Sequence, residues 1–180
     1  MAFRYPPVKH WLVPENLFER TIECVLPETR QGKESGALWL GAREEVARVS
    51  MVLFPRGTGV RERRYCWEVS SEVLGAVTRW AIPQNLCLLG VVHTHLPGVP
   101  PVLSPADRAF GVRVPGVLAI VMSNGGYEAD YRHWGWYVFE GDDFRQLGDS
   151  EIARRVRVDR AVEVKLGTAN AEGVWPEAGE

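Results

Sequence analysis

Residues 86–107 read "LCLLGVVHTHLPGVPPVLSPAD", and two of the chain's four histidines stand in this stretch, one residue apart. The run Leu86-Cys87-Leu88-Leu89-Gly90-Val91-Val92 is continuous and apolar, the pattern of a buried strand. Side chains two apart on a strand project to the same side of the sheet. His93 and His95 therefore converge just past the C-terminal end of a core strand. Behind them Ser104 reads as a helix N-cap, with Pro105 at the first helical position and Asp107 at the third. That cap turns Asp107 back toward the strand end. A carboxylate with two imidazoles is a three-ligand set for catalytic zinc, and it leaves a fourth position for water. Capping and metal binding by these residues are compatible.

Outward from this stretch, residues 14–27 ("PENLFERTIECVLP") place Leu17, Phe18, Ile22, Val25 and Leu26 near one face at helical spacing, with a proline start. "ALWLG" (37–41) reads as a short buried strand, and "VARVSMVLF" (46–54) as its partner, broken by "PRGTG". Residues 67–82 carry Val69, Val73, Leu74, Val77 and Trp80 on one helical stripe that Pro83 stops. "GVLAIVMS" (116–123) is a second central strand. In "WGWYVFEG", Trp134, Trp136 and Val138 alternate with Gly135, Tyr137 and Phe139, the two faces of a strand. "AVEVKL" (161–166) reads as a last edge strand, and the small, acidic tail 167–180 as loose. The order of strands and helices predicts one α/β domain, a mixed β-sheet sandwiched between helices.

At 180 residues, 46% of them hydrophobic and 24% charged, the chain is long enough for a single domain with a full core. A net charge of −2 gives no broad basic surface, so nucleic acid is not an expected partner. The basic runs Arg61-Glu62-Arg63-Arg64 and Arg154-Arg155-Val156-Arg157 read as solvated faces or helix ends. Three cysteines, Cys24, Cys66 and Cys87, form no C-x-x-C pair and point to a reducing compartment. The N-terminal residues lack a signal-peptide layout, and no apolar run is long enough to span a membrane. A cytoplasmic location with no membrane partner is expected.

The stretch "HTH…SPAD" resembles the signature of the JAMM, or MPN+ (JAB-type), metalloproteases: His-x-His-Pro, a short loop, then Ser-x-x-Asp. That family also has an upstream glutamate before an early strand, in Glu-x-x-Gly-x-Leu-x-Gly or a close variant. "ESGALWLG", with Glu34, Gly36, Leu38 and Gly41, is similar to it. The similarity spans roughly residues 34–121. One departure stands out: His95-Leu96-Pro97 replaces the usual His-Pro, and eight residues rather than seven precede Ser104. A one-residue insertion at Leu96 accounts for it.

The resemblance implies a single JAB/MPN+-type domain over 1–166. It implies that His93, His95 and Asp107 hold Zn2+, with water in the fourth site, and that Glu34 is the general base and then acid. It gives Ser104 the task of hydrogen-bonding the oxyanion. Glu44 and Glu45 are fallback bases, but they follow the strand instead of preceding it. The implied substrate is a ubiquitin-like protein or its conjugates, cut after the C-terminal glycine, with associated activating and conjugating enzymes as partners. The compact chain resembles stand-alone bacterial and archaeal members, which accompany ubiquitin-like conjugation systems, antiviral operons among them, or sulfur-carrier pathways. The alternatives are a hydrolase releasing cysteine or another small adduct from a sulfur carrier, and a non-catalytic scaffold binding a ubiquitin-like partner. His10 and His133 lie in proline-rich and turn-rich surroundings and are given no functional role, Cys87 reads as a core residue, and Trp134 and Trp136 as core or interface.

Overall fold

The computed structural model describes residues 7–177. It opens with strand β1 (His10–Pro14) and helix α1 (Leu17–Thr29). Strands β2 (Gly36–Ala42) and β3 (Val46–Pro55) follow as an antiparallel pair. A small hairpin, β4 (Val60–Arg63) and β5 (Cys66–Val69), leads into helix α2 (Ser71–Ala81). Then come β6 (Cys87–Thr94), the short helix α3 (Pro105–Phe110) and β7 (Leu118–Met122). The C-terminal part adds β8 (Gly135–Glu140), β9 (Asp143–Gln146), α4 (Asp149–Arg155), β10 (Val156–Asp159), β11 (Lys165–Asn170) and β12 (Gly173–Pro176).

Ten of these strands form one mixed sheet, in the order β10-β1-β3-β2-β6-β7-β8-β9, with β11 and β12 joined on beside β3. The central strands are apolar without interruption because both of their faces are covered. Trp39, Val52, Val92, Ile120 and Trp136 face Phe18 and Val25 of α1. On the other face Leu38, Leu40, Met51 and Leu53 pack against Val73 and Val77 of α2. The alternation expected in β8 is present: Trp134, Trp136 and Val138 lie in the α1-side core, while Tyr137 and Phe139 join Leu103 and Phe144 opposite. The chain is thus a single α/β domain with a mixed sheet between helices, as its pattern predicts. Among the described residues no helix is long and apolar enough to cross a membrane.

Several boundaries differ from the sequence reading. The helix expected over 14–27 with a proline start spans Leu17–Thr29, and Pro14 ends β1 instead. The helix expected over 67–82 begins only at Ser71, since Ser70 is extended and caps it, its hydroxyl accepting from the Val73 N–H. Trp67, within the expected helix, and Val69 of its stripe belong instead to β5. The strand expected at 161–166 lies at 165–170 and is not the last, and residues 167–176 of the expected loose tail fall in β11, β12 and the turn between them. The cause is β3: ten residues long, it pairs with β1 at its start and needs another partner along 51–55, which β11 supplies in parallel. Residues 178–180 of that tail lie outside the described residues.

Candidate metal centre

The site lies where β2 begins and where β6 and β7 end. Gly36 pairs with His93, and His93 with Val121, so the last turn of chain beyond β6 opens at one edge of the buried core. His93 and His95 do project to the same place. Their Nε2 atoms are 3.3 Å apart. Asp107 joins them, with Oδ1 at 3.4 Å from His93 Nε2 and Oδ2 at 3.5 Å from His95 Nε2. These three side chains form a group that can hold a metal ion.

Each of these side chains is oriented by something local. Thr94, between the histidines, points to the opposite side of the strand, where its hydroxyl oxygen accepts from the Ser35 N–H at 3.0 Å. The Thr94 N–H donates back to the Ser35 carbonyl at 2.9 Å, so the segment carrying Glu34 is clasped to the histidine strand. His95 Nδ1 lies 2.9 Å from the Pro100 carbonyl. A carbonyl only accepts, so Nδ1 carries the proton, and in the neutral ring the Nε2 lone pair is left for a metal. Trp67 of the hairpin lies parallel to the His93 ring, 8° between planes and 6.3 Å between centroids.

Asp107 is placed by the helix start that its sequence foretells. Ser104 and Asp107 form a reciprocal capping box: Asp107 N–H donates to Ser104 Oγ at 3.1 Å, and Ser104 N–H to Asp107 Oδ2 at 2.7 Å. The extra residue Leu96 is buried in a turn closed by the Val99 N–H on the Leu96 carbonyl, and the capping box downstream is intact.

Glu34 is only 6% exposed, although it sits in a Lys-Glu-Ser loop. Its N–H donates to the Arg63 carbonyl of β4 at 2.8 Å, which draws the loop under the hairpin. Burial pushes the Glu34 carboxyl up to about 7; nearby Asp107 adds to the shift and His95 opposes it. Burial works against ionisation of Asp107 as well, but hydrogen bonds from His93, His95 and Ser104 hold its carboxyl well below the usual range. Burial lowers His95, yet Asp107, the Pro100 carbonyl and Glu34 together raise it. The pocket is built to surround positive charge.

The shift of Glu34 has a sign that can be checked. Between its ordinary value and about 7, folded metal-free protein holds a proton that the unfolded chain has released. Stability is then lost as pH rises through that window. Metal-free Glu34→Gln should melt above metal-free wild type at pH 8, with the gap closing near pH 5. Equal gaps at both pH values would contradict the burial assignment.

The fallback acids lie elsewhere. Glu44 and Glu45 are exposed in the β2–β3 turn, at the far end of β2 and about 20 Å of strand away from Glu34. Glu45 pairs there with Lys9. His133 is exposed and pairs with Glu128, and His10 lies in β1; neither joins the cluster. Cys87 packs against the core, as do Trp134 and Trp136, both of whose indole N–H groups donate to backbone carbonyls.

Trp67 and the Pro100 carbonyl carry no sequence signal, since each acts through a long-range or loop contact. The second is testable through Gly135. A Cβ at this position would lie 1.8 Å from the Pro101 carbonyl oxygen, so Gly135→Ala must push away the loop that orients His95. Losing the partner that orients a histidine ligand typically costs about 10–100-fold in metal affinity. We expect a loss of that size for Gly135→Ala in competition with a chromophoric chelator. Wild-type affinity in a folded variant would remove Pro100 from this role.

No family model and no curated protein matches the chain. Solved structures do. A solution structure from Desulfitobacterium hafniense aligns with a TM-score of 0.58 at 13% identity, over 85% of this chain and 95% of that one. The likeness is one of fold. A solution structure from Salinibacter ruber gives 0.50 at 20% identity, over 84% and 94%. A crystal structure of a JAB1/MPN domain protein from Archaeoglobus fulgidus gives 0.46 at 15% identity, over 83% and 98%.

Proposed function

We propose that the chain is a JAMM-type zinc hydrolase that cleaves the amide or isopeptide bond after the C-terminal glycine of a ubiquitin-like protein. The observation that carries this reading is the convergence of the His93, His95 and Asp107 donor groups. Tetrahedral zinc with bonds of about 2.0–2.1 Å has donor atoms about 3.3 Å apart. The two Nε2 atoms are 3.3 Å apart, and the Asp107 carboxylate lies across both, Oδ1 at 3.4 Å from His93 and Oδ2 at 3.5 Å from His95. Two neutral imidazoles and one carboxylate are also the donor types of open, catalytic zinc sites.

A zinc ion held by His93, His95 and Asp107 would act as a Lewis acid and bring the pKa of a water to about 7. The Glu34 carboxylate, which has no hydrogen-bond partner among the described residues, would take a proton from water and pass it to the departing amine nitrogen as the carbon–nitrogen bond breaks. Ser104 Oγ accepts from the Asp107 N–H, and its own O–H, which otherwise serves the Asp107 carboxylate, would turn to donate to the oxygen of the scissile amide. The substrate assignment rests on the likeness of "ESGALWLG" and "HTH…SPAD" to the family's motifs.

Protein purified without chelator should carry about one zinc per chain. It should release product from a ubiquitin-like precursor with a C-terminal extension, lose that activity to a chelator, and regain it with zinc. Wild-type protein without zinc would sink the hydrolase reading; zinc-loaded protein that binds but never cleaves would favour the scaffold.

A further inference from the structure

Beside the metal cluster lies an open recess of about 470 Å³, lined by Arg30, Gln31, Arg64, Leu96, Pro97 and Tyr127, with Thr29 and Gly32 at its margin. Pro97 follows the ligand His95 by two residues, and Gly32 precedes Glu34 by two. Two residues of chain reach at most about 7 Å, so the recess adjoins the reacting centre.

Its walls are firmly built. Asn124, Gly125 and Gly126 are all left-handed, at φ 50°, 65° and 83°. The Gly125 N–H donates to the His95 carbonyl at 2.7 Å. A Cβ on Gly125 would meet Thr29 Cγ2 at 2.5 Å, so the turn is wedged between α1 and the His95 loop, and Tyr127 follows it into the recess. Leu96, the residue in excess of the family pattern, is part of the lining.

The charge of the recess is one-sided. No carboxylate lines it, and among the described residues neither Arg30 nor Arg64 has an acidic partner. Arg64 only lies over the Tyr65 ring, at 5.4 Å. Nearby acids are engaged elsewhere: Glu28 with Lys33 and Arg56, Glu62 with the Ser35 hydroxyl. Within the basic run of the hairpin Arg61 pairs with Glu68, and Arg64 is the arginine that lines the recess.

We propose that this recess is a carboxylate subsite, in which Arg30 and Arg64 receive an acidic group of the substrate within two or three residues of the scissile amide. The proposal rests on the hydrolase reading above. Planar guanidinium forks match a carboxylate, the anion that a protein substrate supplies. A net charge of −2 and two isolated arginines suit a single small anion and not a polyanion. The carboxylate has two possible sources, an acidic side chain or the free terminus of a short leaving group.

The test uses zinc-loaded Glu34→Gln protein and fluorescein-labelled peptides of equal length ending in Gly-Gly-Glu-Glu or Gly-Gly-Gln-Gln, each as free acid and as terminal amide. In fluorescence anisotropy at low salt, glutamate peptides should bind on the order of tenfold tighter than glutamine peptides if side chains are read. If the terminus is read, free acids should exceed amides by a similar factor. Either preference should weaken with salt, vanish in Arg30→Ala/Arg64→Ala, and return in part with lysines at both positions. All four peptides binding alike, binding by none, or a preference that survives the double alanine variant would overturn the proposal. Zinc content, measured on the same samples, separates this outcome from failure of the hydrolase reading, which would show as zinc-free wild type.

Discussion

Glu34→Gln should retain zinc and fold yet lose turnover by about 10²–10⁴-fold, the usual contribution of a positioned general acid–base. Glutamine has nearly the shape of glutamate and can hold the same backbone position, whose N–H to Arg63 is independent of the side chain. What it lacks is a carboxylate that takes up a proton and returns it. Glu34 is not among the three ligating side chains, so metal content should stay at the wild-type level. Stopped-assay rates with elemental analysis of the same preparation check both halves. Turnover within a few fold of wild type would take the base role away from Glu34.

His93→Ala should cost more affinity for zinc than the roughly 10–100-fold lost when only an orienting partner is removed. The variant keeps one imidazole and one carboxylate, too few to hold the ion against competing water. It also leaves Asp107 with one fewer of the hydrogen bonds that keep it ionised in a buried place. The expected result is zinc-free protein after ordinary purification, with activity lost and not restored by equimolar zinc. Full zinc occupancy in His93→Ala would show that the ion sits elsewhere. Comparison with Gly135→Ala orders the two effects: a missing ligand should outweigh a misaimed one.

The parts of this architecture that were legible have local causes. The buried strand β6 shows in its continuous apolar run, and the convergence of His93 and His95 follows from the period of two. The start of α3 shows in Ser104, Pro105 and Asp107, which build a capping box from their own side chains. The illegible parts depend on partners far along the chain. The strands β4, β5 and β12 are four residues each, too short for periodicity, and they persist because they pair. Val69 fits a helical stripe by spacing, but the Ser70 cap starts the helix after it.

By itself, the sequence determined the α/β class, the central strands and the candidate donors His93, His95 and Asp107, because strand alternation and helix capping are decided within a few residues. It also set Asp107 on a first helical turn. Only the tertiary structure decided that this turn meets the histidines at metal-ligand spacing, that the Pro100 carbonyl selects the His95 tautomer, and that Glu34 is buried. Those outcomes are matters of burial and long-range hydrogen bonding. A glutamate in a polar loop becomes a candidate base when β4 and Thr94 close over the segment that carries it, and no property of the loop alone foretells this.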